Sequence, residues 1–368
     1  MAPVATSPAA DPCRKERVER LLPAVVFSHR YSEVYVVAGN LRHGIALAFL
    51  SPILAIVDIH MNQPSSEGIR KGEKPMSLTT FLQQCLTGIS LGGAYALIAI
   101  GYTMVYGILR LINFAHGDIF MMAGYFMIFA MASLPWYIAV PVTLITTTAL
   151  GVGIERVAYK PLRSAPRMSV MISAIGVSYL LQNLATYLFT ALPMGYPEIP
   201  VLKHVYQIGG LSASFVTFLT PVLTLVLVYL LITLIQHTKM GMAMRAVSKD
   251  YETASLMGID INKTISLTFA IGSLLAAVGS ILYFTDRMTV YPYSGSLPGM
   301  KCFVAAVFGG IGSIPGAVVG GFLIGLGETA LVAAGYSTFS DAFTFVILIV
   351  VLLVRPTGLF GEKTTNKV

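Results

Sequence analysis

From residue 85 onward the chain alternates long apolar runs with short polar gaps. The runs cover 85–107, 117–133, 136–154, 168–190, 214–236, 264–284, 302–334 and 341–354. A helix needs about 20 mostly apolar residues to cross a bilayer, and most of these runs are continuous blocks near that length. Helices satisfy their backbone hydrogen bonds internally, as a lipid environment demands. A membrane barrel would instead repeat alternating segments of about ten residues. The pattern predicts an all-α membrane protein, a polytopic helical bundle of about eight transmembrane segments.

Composition agrees. Of 368 residues, 55% are hydrophobic and 11% charged, against about 25% charged in a soluble domain. A chain this apolar cannot cover its own surface with polar groups, which excludes an ordinary soluble enzyme, a disulfide scaffold and a disordered protein. The three cysteines, Cys13, Cys85 and Cys302, are far apart, and the histidines form no ligand-spaced pair. Neither a disulfide framework nor a metal site follows.

The charges are uneven. Residues 1–75 hold nine Lys/Arg and seven Asp/Glu, leaving 25 charged residues in the other 293. This stretch has one apolar run, 45–57, interrupted by Pro52 and too short to span. It does not read as a signal peptide, because the run is late and no small-residue cleavage site follows it. Met76 opens the apolar body in the manner of a natural start. Residues 1–75 are therefore expected to be an N-terminal extension outside the functional body, either a poorly ordered tail or an over-extended reading frame, with 76–368 the membrane domain.

The net charge of +7 sets orientation rather than indicating nucleic acid. Loop 155–167 carries Arg156, Lys160, Arg163 and Arg167, and loop 237–263 carries Lys239, Arg245, Lys249 and Lys263. Loop 191–213 has only Lys203. Basic loops stay in the cytoplasm, so 155–167, 237–263 and the C-terminus are expected inside, with 191–213 and 285–301 outside. Between an outer loop 285–301 and an inner tail the chain must cross an odd number of times. The 33 residues of 302–334 are too few for two full spans, so a broken or re-entrant segment is expected there. Gly309, Gly310, Gly312, Pro315 and Gly316 supply the break, since four glycines and a proline cannot stay regular helix cheaply. A second break lies at Asn113-Phe114-Ala115-His116-Gly117-Asp118. Interrupted segments in two halves of a transporter point to a pathway near the membrane midplane.

Several motifs carry a family resemblance. They are Gly92-Gly93-Ala94-Tyr95-Ala96-Leu97 with its continuation to Gly107, Ile112-Asn113-Phe114-Ala115-His116-Gly117, Ile154-Glu155-Arg156-Val157-Ala158-Tyr159-Lys160-Pro161, Ile172-Ser173-Ala174-Ile175-Gly176, and Gly309-Gly310-Ile311-Gly312-Ser313-Ile314-Pro315-Gly316-Ala317. In this order they resemble the branched-chain amino acid ABC transporter permease family, in its LivH branch. The closing Val354-Arg355-Pro356-Thr357-Gly358 fits too, with Arg355 where an apolar residue is expected. The resemblance runs from about Met76 to the C-terminus. It implies a non-enzymatic subunit of the bacterial cytoplasmic (inner) membrane that passes branched-chain amino acids. The implied partners are a second, LivM-like permease subunit, two cytoplasmic ATPase subunits and an extracytoplasmic substrate-binding protein. ATP would sit on the ATPase partner and no cofactor on this chain, which has no GxxxxGK[ST] phosphate loop. Related permeases for urea or short amides share the 113–117 type of segment, and an ion-coupled carrier is the alternative from another class.

Within loop 237–263, Ala243, Arg245, Ala246, Asp250, Ala254 and Gly258 resemble the family's ATPase-coupling motif: a short helix with an alanine side, terminated by Gly258. The alternative is a solvated loop. Asn113, His116 and Asp118, with Gly117, either line the pathway or cap the helix break, His116 then bonding locally. The glycine run either contacts solute or lets helices pack closely. Glu328, 13 residues past Pro315, is expected near a membrane face. Gln182 and Asn183 are expected to bond between helices.

Overall fold

The computed structural model describes residues 78–163, 165–208, 211–355 and 357–361. The N-terminal extension expected at 1–75 lies outside the described residues. Among the described residues, besides a single helical turn at Pro200–Lys203, eleven helices carry the fold: α1 (Leu78–Leu109), α2 (His116–Ser133), α3 (Trp136–Ile154), α4 (Arg167–Phe189), α5 (Phe215–His237), α6 (Lys239–Lys249), α7 (Tyr251–Leu256), α8 (Ile261–Arg287), α9 (Ser296–Gly309), α10 (Ile314–Ala333) and α11 (Ser340–Val354). Between α3 and α4 the chain passes through a π-turn, Glu155–Tyr159, and a 3₁₀ turn, Lys160–Leu162. Two small antiparallel ribbons lie in the long loops: β1 (Met194–Gly195) pairs with β4 (Thr289–Val290), and β2 (Val205–Ile208) with β3 (Leu211–Ser214).

Among the described residues, seven helical stretches are long and apolar enough to cross a membrane, namely α1, α3, α4, α5, α8, α10 and α11. The eight expected runs thus become seven spans and two helices of a different kind. One is α2, with His116 and Asp118 in its first turn. The other is α9, 14 residues long, or about 21 Å at 1.5 Å per residue.

The reason for these two lies in the longest helices. α1 has 32 residues, about 48 Å, and α8 has 27. They run antiparallel and meet where a β-carbon on Gly272 would sit 3.6 Å from the Cα of Gly101. Each ends in a non-glycine residue forced into the left-handed region, Arg110 at φ 51° and Met288 at φ 58°. After that residue the chain turns back into the protein, so α2 and α9 both begin partway along the bundle. Their starts touch: a β-carbon on Gly117 would lie 2.7 Å from the Gly295 carbonyl oxygen and 3.0 Å from the Cα of Gly299.

This arrangement corrects the expected pairing of breaks. The counterpart of 110–115 is 288–295, not the glycine run. The broken segment expected in 302–334 exists, but it begins at Ser296 in the supposed outer loop. The glycine run makes a tight antiparallel turn between α9 and α10. Gly310 and Gly312 hold φ of 110° and 97°, and β-carbons on Gly309, Gly316 or Gly320 would overlap the facing backbone. Close packing is therefore what these glycines do.

The core follows from the same geometry. Residues 94–100 of α1 are buried, with Phe120, Met121 and Tyr125 of α2 and Ala276, Leu282 and Phe284 of α8. The outer helices α4, α5 and α11 expose large apolar side chains such as Tyr187, Tyr229 and Val354, as lipid-facing surfaces do. The helix ends near the basic loops form one pole of the bundle. α1 starts at the opposite pole, where Gln83 donates to the Ser212 carbonyl at 3.0 Å.

Candidate functional site

At the basic pole a cavity of about 850 Å³ opens between the end of α1, the end of α5, helix α6 and the 311–315 turn. Its walls are mixed: Met104, Ile108, Ile232, Ile235, Met244, Ile311 and Ile314 are apolar, and Tyr106, Ser248 and Ser313 are polar. Arg110, Arg245 and Gln236 stand among them, and no carboxylate does. Thr103, 1% exposed, lines the cavity, and its buried hydroxyl has no hydrogen-bond partner. The C-terminal segment forms one wall through Thr357, Phe360 and Gly361. It is held because the N–H groups of Leu359 and Phe360 donate to the Phe308 and Gly309 carbonyls at 3.0 and 2.9 Å. Those carbonyls end α9 and lack partners inside the helix. Of the expected pathway residues, Gly312 and Pro315 line this cavity.

Beside it lie the two short helices expected to receive a partner. The expected single helix is in fact two. Asp250 ends α6 and caps α7, accepting from the Glu252 N–H at 3.0 Å and the Thr253 hydroxyl at 2.5 Å. The Thr253 hydroxyl, then the Glu252 N–H, hold the Asp250 carboxyl below the usual carboxylate range. Gly258 terminates α7 as expected. It sits at φ 78°, with Gly258 N–H donating to Ser255 and Ile259 N–H to Ala254, the Schellman pattern. The alanine side, however, faces this protein: Ala254 is 4% exposed, and Ala243 and Ala246 are half-buried. α6 buries Gly241, Met244 and Val247. The most exposed apolar groups are Leu256 and Met257, 87% and 78% exposed, with Met240 and Met242 of α6 also outward, and Arg245 is exposed at the cavity edge.

The inner polar residues do not behave as caps. Helix α2 has Ala115 at its N-cap and no side-chain cap bond. Asn113 instead accepts from the Tyr159 hydroxyl at 2.6 Å. Asp118 accepts from Ser178 at 2.5 Å and Gln182 at 3.0 Å, and Gln182 also reaches the Ser296 hydroxyl at 3.2 Å. This cluster ties α2, α4 and the start of α9 together. Gln182 thus bonds between helices as expected, whereas Asn183 bonds back to Tyr179 of its own helix. His116 packs edge-on against Tyr102, ring centres 4.8 Å apart. Asn113, His116 and Asp118 are all buried and none lines the cavity. The Asn113 Nδ2 and His116 Nε2 atoms have no partner.

One cluster escaped sequence reasoning. Lys301 of α9, 5% exposed, bonds Glu328 of α10 at 2.8 Å and Asp341 of α11 at 2.6 Å. Tyr95 of α1 donates to the other Glu328 oxygen at 3.0 Å. Glu328 is therefore buried between helices, near the end of α10 as its distance from Pro315 implied. A lone lysine in an apolar stretch was the available signal. Among the described residues no group of three His, Cys, Asp or Glu side chains is arranged to hold a metal ion.

Spanning helices around two helix starts that meet inside, with a cavity open at one pole, define a multi-pass helical membrane protein. The family model described as "Branched-chain amino acid transport system / permease component" matches residues 84–352. The chain is 42% identical over 307 residues to the high-affinity branched-chain amino acid transport system permease protein LivH of Salmonella typhimurium and to that of Escherichia coli (strain K12). It is 40% identical over 301 residues to the corresponding protein BraD of Pseudomonas aeruginosa. Each match covers 78% of this chain and 98% of the relative. The chain belongs to this family of transport permeases.

Proposed function

We propose that the chain is the membrane-spanning subunit of an ATP-binding-cassette importer, passing branched-chain amino acids inward across the bacterial cytoplasmic membrane. The observation that carries this reading is the 40–42% identity to LivH and BraD proteins over nearly their whole length. On this reading the basic pole is cytoplasmic, because loops 155–167 and 237–263 carry the basic residues. α6 and α7 then face two ATPase subunits that hold the ATP, and the opposite pole faces a substrate-binding protein. A second, LivM-like permease subunit completes the passage. The coupling set is Ala243, Arg245, Ala246, Asp250, Ala254 and Gly258, with Leu256 and Met257 as the outward contact. The cavity is the inner vestibule. Its apolar wall residues suit an aliphatic side chain, and the two arginines suit a carboxylate.

An ion-coupled carrier fits less well. It needs intramembrane carboxylates free to exchange ions, yet Asp118 is held by Ser178 and Gln182, and Glu328 by Lys301 and Tyr95.

Reconstitution with the cognate ATPases and binding protein in liposomes tests the proposal. Labelled leucine should enter only with ATP, and unlabelled isoleucine and valine should compete. Competition by urea or acetamide instead would move the substrate to the short amides. Uptake with a catalytically dead ATPase would overturn the importer reading.

A further inference from the structure

Tyr251 opens α7, and its phenol O–H donates to the backbone carbonyl of Ile108. That carbonyl lies in the last turn of α1, where helix carbonyls lack intrahelical partners. One residue beyond α1 comes Arg110, in the left-handed conformation that starts the return toward α2. Resting on the importer reading, we propose that Tyr251 is the positioning residue that transmits movement of the cytoplasmic helices to the first helix break.

Three observations place the link at a mechanical junction. First, its mount is firm: Asp250 caps α7, Ala254 is buried, and the Schellman turn at Gly258 closes the helix. Second, burial pushes the pKa of the phenol up, while the charges of Arg163 and Arg110 oppose the shift. Third, Arg163 also bonds Glu155 of the π-turn and Asn262 of α8, the latter at 2.5 Å, and Ser266 of α8 reaches Glu155 at 2.6 Å. The turn after α3 is thus tied to the start of α8, which packs antiparallel against α1. These two helices cross at Gly101 and Gly272, beside the starts of α2 and α9. A displacement of α7 pulls on the Ile108 carbonyl, hence on residues 110–115, hence on the start of α2.

The variant Tyr251→Phe keeps the ring and deletes one hydroxyl. In liposomes holding the complete importer, we expect leucine moved per ATP hydrolysed to fall at least about tenfold, with the ATPase subunits still co-purifying at wild-type stoichiometry. A second measurement reads the link directly. A cysteine at Arg110 (Arg110→Cys, all three native cysteines removed) should change its maleimide reaction rate when a non-hydrolysable ATP analogue binds. That response should vanish when Tyr251→Phe is added. A wild-type leucine-to-ATP ratio in Tyr251→Phe, or an unaltered Arg110→Cys response, would overturn the proposal. Loss of the ATPase subunits from Tyr251→Phe would overturn it too, in favour of a docking contact. If the unmutated complex moves no leucine with ATP, the importer reading itself fails instead.

Discussion

Lys301 is a buried cation held by one buried carboxylate, Glu328, and one half-exposed carboxylate, Asp341. Desolvating such a pair is costly, and removing a single partner leaves the other charge stranded. Lys301→Met should therefore destabilise the protein by about 3–5 kcal/mol, and Glu328→Gln should act in the same direction. Replacing both by apolar residues, Lys301→Met with Glu328→Leu, should recover much of the loss, because no buried charge then lacks a partner at this pair. Cys302 is buried, so its reaction with a thiol dye on heating detergent-solubilised protein reads the unfolding midpoint. A double variant no more stable than the sum of both singles would contradict the argument. The charges were visible in the sequence, but their meeting was not. Counting 1.5 Å per residue from Pro315 gives the position of Glu328 along its helix and nothing of what lies beside it. Lys301 was assigned to a loop because a hydropathy window ends at a charge.

At the scale of elements, the glycine run and the two turn-back stretches are different devices. Gly316 meets the backbone of Gly309, while Gly312 at φ 97° has open space where a β-carbon would go. Gly316→Leu should force α9 from α10 and cost about 1–3 kcal/mol or more through overpacking. Gly312→Ala should cost only the left-handed strain, about 1–2 kcal/mol. The same dye-based melting experiment ranks them, and equal midpoints would show that packing is not what Gly316 serves. Four glycines and a proline announced a break, so that element was legible. The break that matters for α9 lies at Met288, as its partner does at Arg110, and neither Met nor Arg favours a positive φ. Both conformations run against local propensity, which therefore gave no sign of them. Likewise the alanines of 243–254 were legible as a close-packing surface, but not that this protein's own helices occupy much of it.

The described body, residues 78–361, is two antiparallel long helices, each followed by a helix that starts inside, wrapped by lipid-facing spans. Hydropathy revealed the spans because each is a local property of about 20 residues. It left open the side from which α1 enters. The fold supplies that: α1 ends beside α7, and Gln83 near its start reaches Ser212 at the other pole. On the proposed orientation, with the basic loops inside, the start of α1 faces out. In a cysteine-free background, single cysteines at Phe81, Lys203 and Leu256 test this arrangement, since all three positions are exposed. On intact spheroplasts a membrane-impermeant maleimide should label Phe81→Cys and Lys203→Cys and spare Leu256→Cys. Inside-out vesicles should reverse the pattern. Labelling of Phe81→Cys together with Leu256→Cys from one side would break the one-pass path of α1. Labelling of all three positions in the opposite sense would invert the whole bundle, leaving α6 and α7 on the side where no ATPase could reach them.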